Sequence, residues 1–157
     1  MTHLWIRSEQ RNNEKRVGVT PEGAKYLIKN GFKVTIENCN SRIISISDYE
    51  KSGCEIVKQD SWVNAPKEAI ILGLKEILDR SAPLHHNHIM FGHAFKDQRS
   101  GLDLLKRFKN DGGKLYDLEY LLDDTGKRVA AFGYWAGFAG AAVSVKVWLC
   151  QKLGKPC

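Results

Sequence analysis

Polar residues able to do chemistry stand at four places where apolar stretches end: Arg16, the pair Lys75-Glu76, the run His93-Ala-Phe-Lys96-Asp-Gln98, and Glu119. Lys75-Glu76 follows directly on Ala69-Ile-Ile-Leu-Gly-Leu74, and Glu119 follows Leu115-Tyr-Asp-Leu118. Guanidinium and ammonium groups grip carboxylates through charge-assisted hydrogen bonds, and a histidine can give or take a proton near neutral pH. Taken singly, each residue is ordinary. A Lys-Glu pair at a strand end is usually a solvated surface pair, and a histidine on an alternating segment is usually half-buried and satisfied. Together they describe a cationic mouth suited to a dicarboxylate, without specifying a reaction.

Two other chemistries are not expected. His85-His86-Asn87-His88 with His93 suggests a metal site, but imidazoles at adjacent positions point apart and no acid or thiol completes a ligand set nearby. The cysteines (Cys39, Cys54, Cys150, Cys157) form no Cys-x-x-Cys pair, so neither a zinc site nor a redox motif is indicated. Gly133, Gly137 and Gly140 lack the G-x-G-x-x-G spacing of a dinucleotide loop and read as small residues for close helix packing.

The elements that must position the polar groups alternate between strand and helix. Leu4–Arg7 reads as a strand. Thr20, Pro21 and Glu22 form an N-cap, a first helical position and an acidic first turn, opening a helix that Asn30-Gly31 ends. Phe32–Glu37 alternates as a strand, a short helix at Ser47–Ser52 is capped by Ser47 or Asp48, and Cys54–Val57 is a strand. Ala69–Leu74 is apolar throughout, the pattern of a strand buried on both faces of a parallel sheet. His88–Phe95 is a strand and Leu102–Phe108 a helix. Lys114–Leu118 and Val129–Phe132 are strands, the second after a turn at Asp123–Gly126, and Trp135–Leu153 is a Gly/Ala-rich helix. This order implies βαβ units, hence an α/β fold with an open, mostly parallel, Rossmann-like sheet flanked by helices. Ligands of such sheets bind beyond the carboxyl ends of the strands, where the four polar groups stand.

Composition agrees with one domain over residues 1–157. With 43% hydrophobic and 27% charged residues, the chain has a core's worth of apolar surface, which excludes disorder and disulfide scaffolds. The net charge of +6 comes from scattered residues, and the longest basic cluster, Arg11–Arg16, contains Glu14. With no basic arm, zipper or finger, nucleic acid is not an expected partner, whereas an acidic small molecule is. No apolar run of about 18 residues exists to span a membrane, and no secretory signal opens the chain, so a cytoplasmic setting with reduced thiols is expected.

Five runs in order carry a resemblance. Ile71-Leu-Gly-Leu-Lys-Glu76, His88-Ile-Met-Phe-Gly-His-Ala-Phe-Lys-Asp-Gln98, Leu115-Tyr-Asp-Leu-Glu119 and Arg128-Val-Ala-Ala-Phe-Gly-Tyr-Trp-Ala-Gly-Phe-Ala-Gly140 resemble the NAD-dependent, L-lysine-forming saccharopine dehydrogenases. Glu14-Lys-Arg-Val-Gly-Val-Thr-Pro21 is similar to the opening of that family and of its relatives, alanine dehydrogenase and transhydrogenase.

The resemblance implies oxidative cleavage of saccharopine to L-lysine and 2-oxoglutarate. It puts the family's base on Lys75 and its acid–base histidine on His93. A secondary amine must lose a proton before it surrenders hydride, and cations flanking a lysine favour the neutral form that can accept one. Glu76 and Glu119 would tune these two groups. Arg16, Gln98 and Phe132 match substrate contacts, with Lys96 lining the same stretch. The family's NAD-contacting arginine falls on Lys127, which keeps the charge without the planar fork.

In the family a nucleotide-binding Rossmann domain follows. Its fingerprint is absent from this chain, so the resemblance implies a fragment or split-enzyme subunit that needs a separate Rossmann-domain chain. Self-association through an uncovered apolar flank near Gly133–Leu153 is a further expectation. Two other readings remain open: a non-catalytic module binding dicarboxylates or amino acids, and a domain of the NADP-using lysine–oxoglutarate reductase branch.

Overall fold

The computed structural model describes residues 1–94 and 99–156. Contacts divide the chain into two compact units, Met1–Tyr120 and Leu121–Cys157. The first unit contains β1 (His3–Ile6), α1 (Pro21–Lys29), β2 (Lys33–Glu37), α2 (Ile46–Lys51), β3 (Glu55–Val57), β4 (Ile70–Leu72), β5 (Asn87–Met90), α3 (Arg99–Asp111) and β6 (Lys114–Asp117). Single 3-10 turns lie at Ser61–Asn64 and Leu118–Tyr120. The second unit is a turn region followed by α4 (Gly133–Leu153).

All six strands run parallel in the order β3-β2-β1-β4-β5-β6, the open α/β sheet that the strand–helix alternation predicts. Successive side chains of a strand face opposite sides, so each strand feeds two cores. Trp5 lies opposite Ile71, and both join a cluster with Trp62, Leu84, Met90, Leu104 and Phe108. Ile6, one residue on, lies opposite Leu72 and Ile36, and these join the other cluster with Ala24, Val34 and Tyr49. The all-apolar Ala69–Leu74 run is explained by this two-sided burial.

Local signals hold where the partners are local. The Thr20 hydroxyl accepts from Gly23 N at 3.2 Å with Pro21 opening α1. The cap of α2 is Ser45, accepting from Ser47 N, rather than Ser47 or Asp48, because the chain enters the helix one turn position earlier. Two strand assignments are corrected. The His88–Phe95 strand ends at Met90, because His93 takes a left-handed backbone (φ 48°) that no strand can continue through; Phe95 lies outside the described residues. Val129–Phe132 is not a strand. Only one antiparallel bridge forms, Leu122 to Arg128, closed by Val129 N donating to Leu121 O across the Asp123–Gly126 turn. Without a longer partner, the β-branched residues there have no ladder to join.

The core also holds titratable groups. His88 is 1% exposed, edge-on to Trp62 and Phe108 with ring centroids 5.3 Å away in each case. Burial, reinforced by the Arg7 charge, pushes its pKa down to about 3. Burial likewise lowers His3 and His86. On unfolding, these rings return towards an ordinary value near 6.5 and take up protons that the folded state refuses. Their contribution is therefore fully present above pH 6.5 and is lost as pH falls through 6.5 towards 3. The melting temperature is expected to drop between about pH 7 and 5, and His88→Leu to flatten that drop; a pH-independent melting temperature over this window contradicts it.

Candidate functional site

The strand order places a topological switch at the centre of the sheet. From β1 the chain builds outward through β2 and β3, then returns to β4 on the other side of β1. The chain leaves β1 for β2 on one side and β4 for β5 on the other, and ligands of open α/β sheets bind at such a switch point. Lys75 and Glu76 stand three and four residues beyond β4 at this point.

Lys75, Glu76 and His93 line one cleft of about 640 Å³. Its wall also carries Arg11, Arg80, Lys106 and Arg107, so positive groups outnumber the acids Glu76 and Asp103. Arg11, from the loop after β1, donates through Nε to Glu76 Oε1 at 3.0 Å and through Nη2 to the same oxygen. Burial is the largest single influence on Glu76 and pushes it up. The hydrogen bond from Arg11, a backbone donor and the charges of Arg11 and Lys75 outweigh it, so the carboxyl is held below its ordinary range.

His93 reaches the cleft because its left-handed backbone turns the chain sharply after β5. Asp117, the last residue of β6, holds that turn: Oδ1 accepts from Gly92 N at 3.2 Å and Oδ2 from Ala94 N at 3.4 Å. The same Oδ1 accepts from Glu119 N at 3.0 Å. One carboxylate thus positions both flanks of His93 and the backbone of Glu119. The result is a His93 Nδ1–Glu119 Oε2 separation of 3.7 Å, with the His93 ring stacked on Phe91. A carboxylate this close faces the imidazole edge from which a proton would be exchanged.

Arg16 stands apart from these groups. Its Nε and Nη2 donate to the two oxygens of Glu14 at 2.7 and 2.6 Å, a two-pronged pair within the chain. Arg16 lines a separate narrow cavity with Glu9, Glu14 and Gly73. The hydrogen bond from Arg16 holds Glu14 below its ordinary range, and the Lys75 charge adds to this. Glu14 therefore lies electrically between Arg16 and Lys75. Lys96 and Gln98 lie outside the described residues. Lys127 and Phe132 belong to the second unit: Lys127 N donates to Asp123 Oδ1 at 2.9 Å, and Phe132 precedes the first residue of α4. Among the described residues, no group of three or more His, Cys, Asp or Glu side chains could hold a metal ion.

Sequence reasoning missed Arg7, Glu9, Arg11, Glu14 and Asp117. Asp117 lay within a run already singled out, and an acid at a strand's carboxyl end was the available signal. Arg7, Glu9 and Arg11 meet Lys75, Leu74 and Glu76 only after folding, whereas Glu14 pairs with Arg16 two residues on.

Residues 5–139 match the family described as the alanine dehydrogenase/PNT N-terminal domain. A saccharopine dehydrogenase (NAD+, L-lysine-forming) of Schizosaccharomyces pombe is 47% identical over 152 residues, covering 96% of this chain and 41% of that protein. The chain thus spans about two fifths of the length of the curated relatives it matches. Among solved structures, a transhydrogenase from Sinorhizobium meliloti superposes with a TM-score of 0.61 at 20% identity, over 78% of this chain and 36% of that one. An L-alanine dehydrogenase superposes with a TM-score of 0.63 at 18% identity, over 80% and 35% respectively.

Asp117→Ala leaves the amides of Gly92, Ala94 and Glu119 without their acceptor. Denaturant unfolding should register a loss of about 1–3 kcal/mol, and the ring resonances of His93 should shift. Unchanged His93 resonances would show that Asp117 does not hold the turn.

Proposed function

Because the chain belongs to the alanine dehydrogenase/PNT N-terminal domain family, we propose that it is the substrate-binding, proton-handling half of an L-lysine-forming saccharopine dehydrogenase. The reaction is saccharopine, NAD and water giving L-lysine, 2-oxoglutarate, NADH and a proton. The observation that carries this reading is the meeting of Lys75, Glu76 and His93 in one cation-lined cleft at the carboxyl edge of the sheet. The 47% identity to a relative of that name supports it.

In this reading Lys75 takes the proton of the substrate's secondary amine, leaving the nitrogen lone pair able to assist loss of hydride from the adjacent carbon. His93 serves the hydrolytic stage: it draws a proton from the water that adds across C=N, and returns one to nitrogen as the C–N bond breaks. Glu119 orients the imidazole and Glu76 balances the charge beside Lys75. The substrate's three carboxylates account for the excess of cations, with Arg16, Lys96, Gln98 and Phe132 as the substrate contacts. Arg16 reaches a carboxylate by sharing its guanidinium between Glu14 and the ligand.

The residues of the first unit do not fit a dinucleotide. At the switch point, where a dinucleotide fold presents glycines and free amides to the pyrophosphate, the Leu74 and Lys75 amides are taken by the Glu9 carboxylate, which repels phosphate. NAD is therefore assigned to a nucleotide-binding part beyond these residues, with Lys127 supplying charge without arginine's fork. The apolar residues that run all round α4 belong against another surface, and self-association through that helix is expected of the isolated chain. No helix among the described residues is long and apolar enough to cross a membrane, and Cys39, Cys54 and Cys150 are free thiols; a cytoplasmic setting agrees with both.

Calorimetry on the purified chain should detect saccharopine binding, and Arg16→Ala should weaken it about tenfold or more, the equivalent of roughly 1.5–3 kcal/mol for hydrogen bonds to a charged group. Absence of binding to the folded chain overturns the assignment. NADH formation from saccharopine by these 157 residues alone would overturn the division of labour.

A further inference from the structure

The loop that leaves β1 is built as a splint for the loop that carries Lys75. Arg7 is 2% exposed, and its Nη1 donates to Ser8 O at 2.9 Å while its Nη2 donates to Lys75 O. Glu9 lies 3.6 Å from that guanidinium and accepts from Leu74 N at 2.6 Å and from Lys75 N at 3.0 Å. Gln10 Oε1 accepts from Leu78 N at 2.7 Å and Asp79 N at 3.2 Å, and Arg11 holds the Glu76 side chain. Four residues of one loop thus grip five of the six residues from Leu74 to Asp79.

Gly73 makes this possible for a spatial reason. A Cβ built there would overlap Cζ and Nη2 of Arg7, so the guanidinium occupies the volume of the missing side chain. The residue has no left-handed φ to explain its identity. Burying a guanidinium is expensive, and a well-packed apolar residue at position 7 would serve the core at lower cost. What the arginine adds is a donor reaching across the switch point to the carbonyl of Lys75, while Glu9 satisfies two amides that no strand takes. Both backbone polar groups of Lys75 are thereby held from β1.

We propose that Arg7, Glu9 and Gly73 are positioning residues for Lys75, together setting where its amine stands in the cleft. This rests on the reading of Lys75 as the proton acceptor. The splint holds the peptide plane on both sides of Lys75, so the side chain leaves a fixed Cα and its amine samples a small part of the cleft beside Glu76. Release of any one member frees the peptide units on either side of Lys75, while Ile77 stays packed in the core with Trp5 and Ile71 and Asp79 O still accepts from Arg107.

The test uses the full 157-residue chain. Lysines are labelled with acetic anhydride over a range of pH, and mass spectrometry reads the extent at Lys75 against exposed Lys25 and Lys29 in the same sample. In Gly73→Ala, and separately in Glu9→Gln, the midpoint of the Lys75 profile should move by about half a pH unit or more, with Lys25 and Lys29 unchanged. A Lys75 profile identical to wild type in a folded variant overturns the proposal. Hydrogen exchange on the unmutated chain covers the case in which neither variant folds: the Leu74 and Lys75 amides should exchange as slowly as those of β4, and fast exchange overturns the splint. Saccharopine calorimetry on Lys75→Met addresses the underlying reading separately, because undiminished affinity there would remove Lys75's role without altering what labelling and exchange say about the splint.

Discussion

A guanidinium 2% exposed at the carboxyl end of the central strand imposes conditions on everything around it. It must find acceptors, and it finds the carbonyls of Ser8 and Lys75 with the Glu9 carboxylate nearby. It must find space, and Gly73 leaves it. A second buried charge, Glu37 on β2, meets the same conditions with four donors: the Trp5 indole and the amides of Ser8, Asp60 and Trp62. These two ions bind β1 to the loops on either side of it. The carboxyl edge of the sheet is therefore rigid where strand ladders alone would let it fray.

The rigidity is distributed so that each candidate catalytic group has its own holder. Lys75 is held from β1, and His93 is held from β6 through Asp117. The two meet in one cleft because β4 and β5 are neighbours in a parallel sheet, which delivers the ends of both strands to the same edge. The left-handed turn at His93 has an energetic cost for a residue with a side chain, and the three amides gathered by Asp117 offset it. Independent, short supports of this kind hold two side chains at a fixed separation.

The second unit follows different physics. Its turn is closed by Asp123, which accepts from Thr125 and Lys127, and its long helix is apolar on all sides. A helix without a polar face has no stable solvated side and calls for a covering surface. The chain spans about two fifths of the length of its curated relatives.

How much of this was legible depends on how far apart the partners lie along the chain. Thr20 capping α1, the Asp123–Gly126 turn and the two-sided apolar strand are signals contained within a few residues, and each was readable in order. So were Lys75, Glu76, His93 and Glu119 as polar groups at strand ends, because alternation of strand and helix implies a parallel sheet and a parallel sheet brings those ends together. The cap at Ser45 and the false strand at Val129–Phe132 show the limit even at short range, since a β-rich segment becomes a strand only when a partner offers a ladder. Arg7 to Lys75, Glu9 to Leu74 and Asp117 to Gly92 span 68, 65 and 25 residues, and nothing local distinguishes those side chains from solvated charges. Strand propensity and polarity are properties of neighbouring residues and were decided by the sequence itself. Which charge is buried, and which backbone group it must satisfy, depends on what folding excludes from water, and only the tertiary structure decided that.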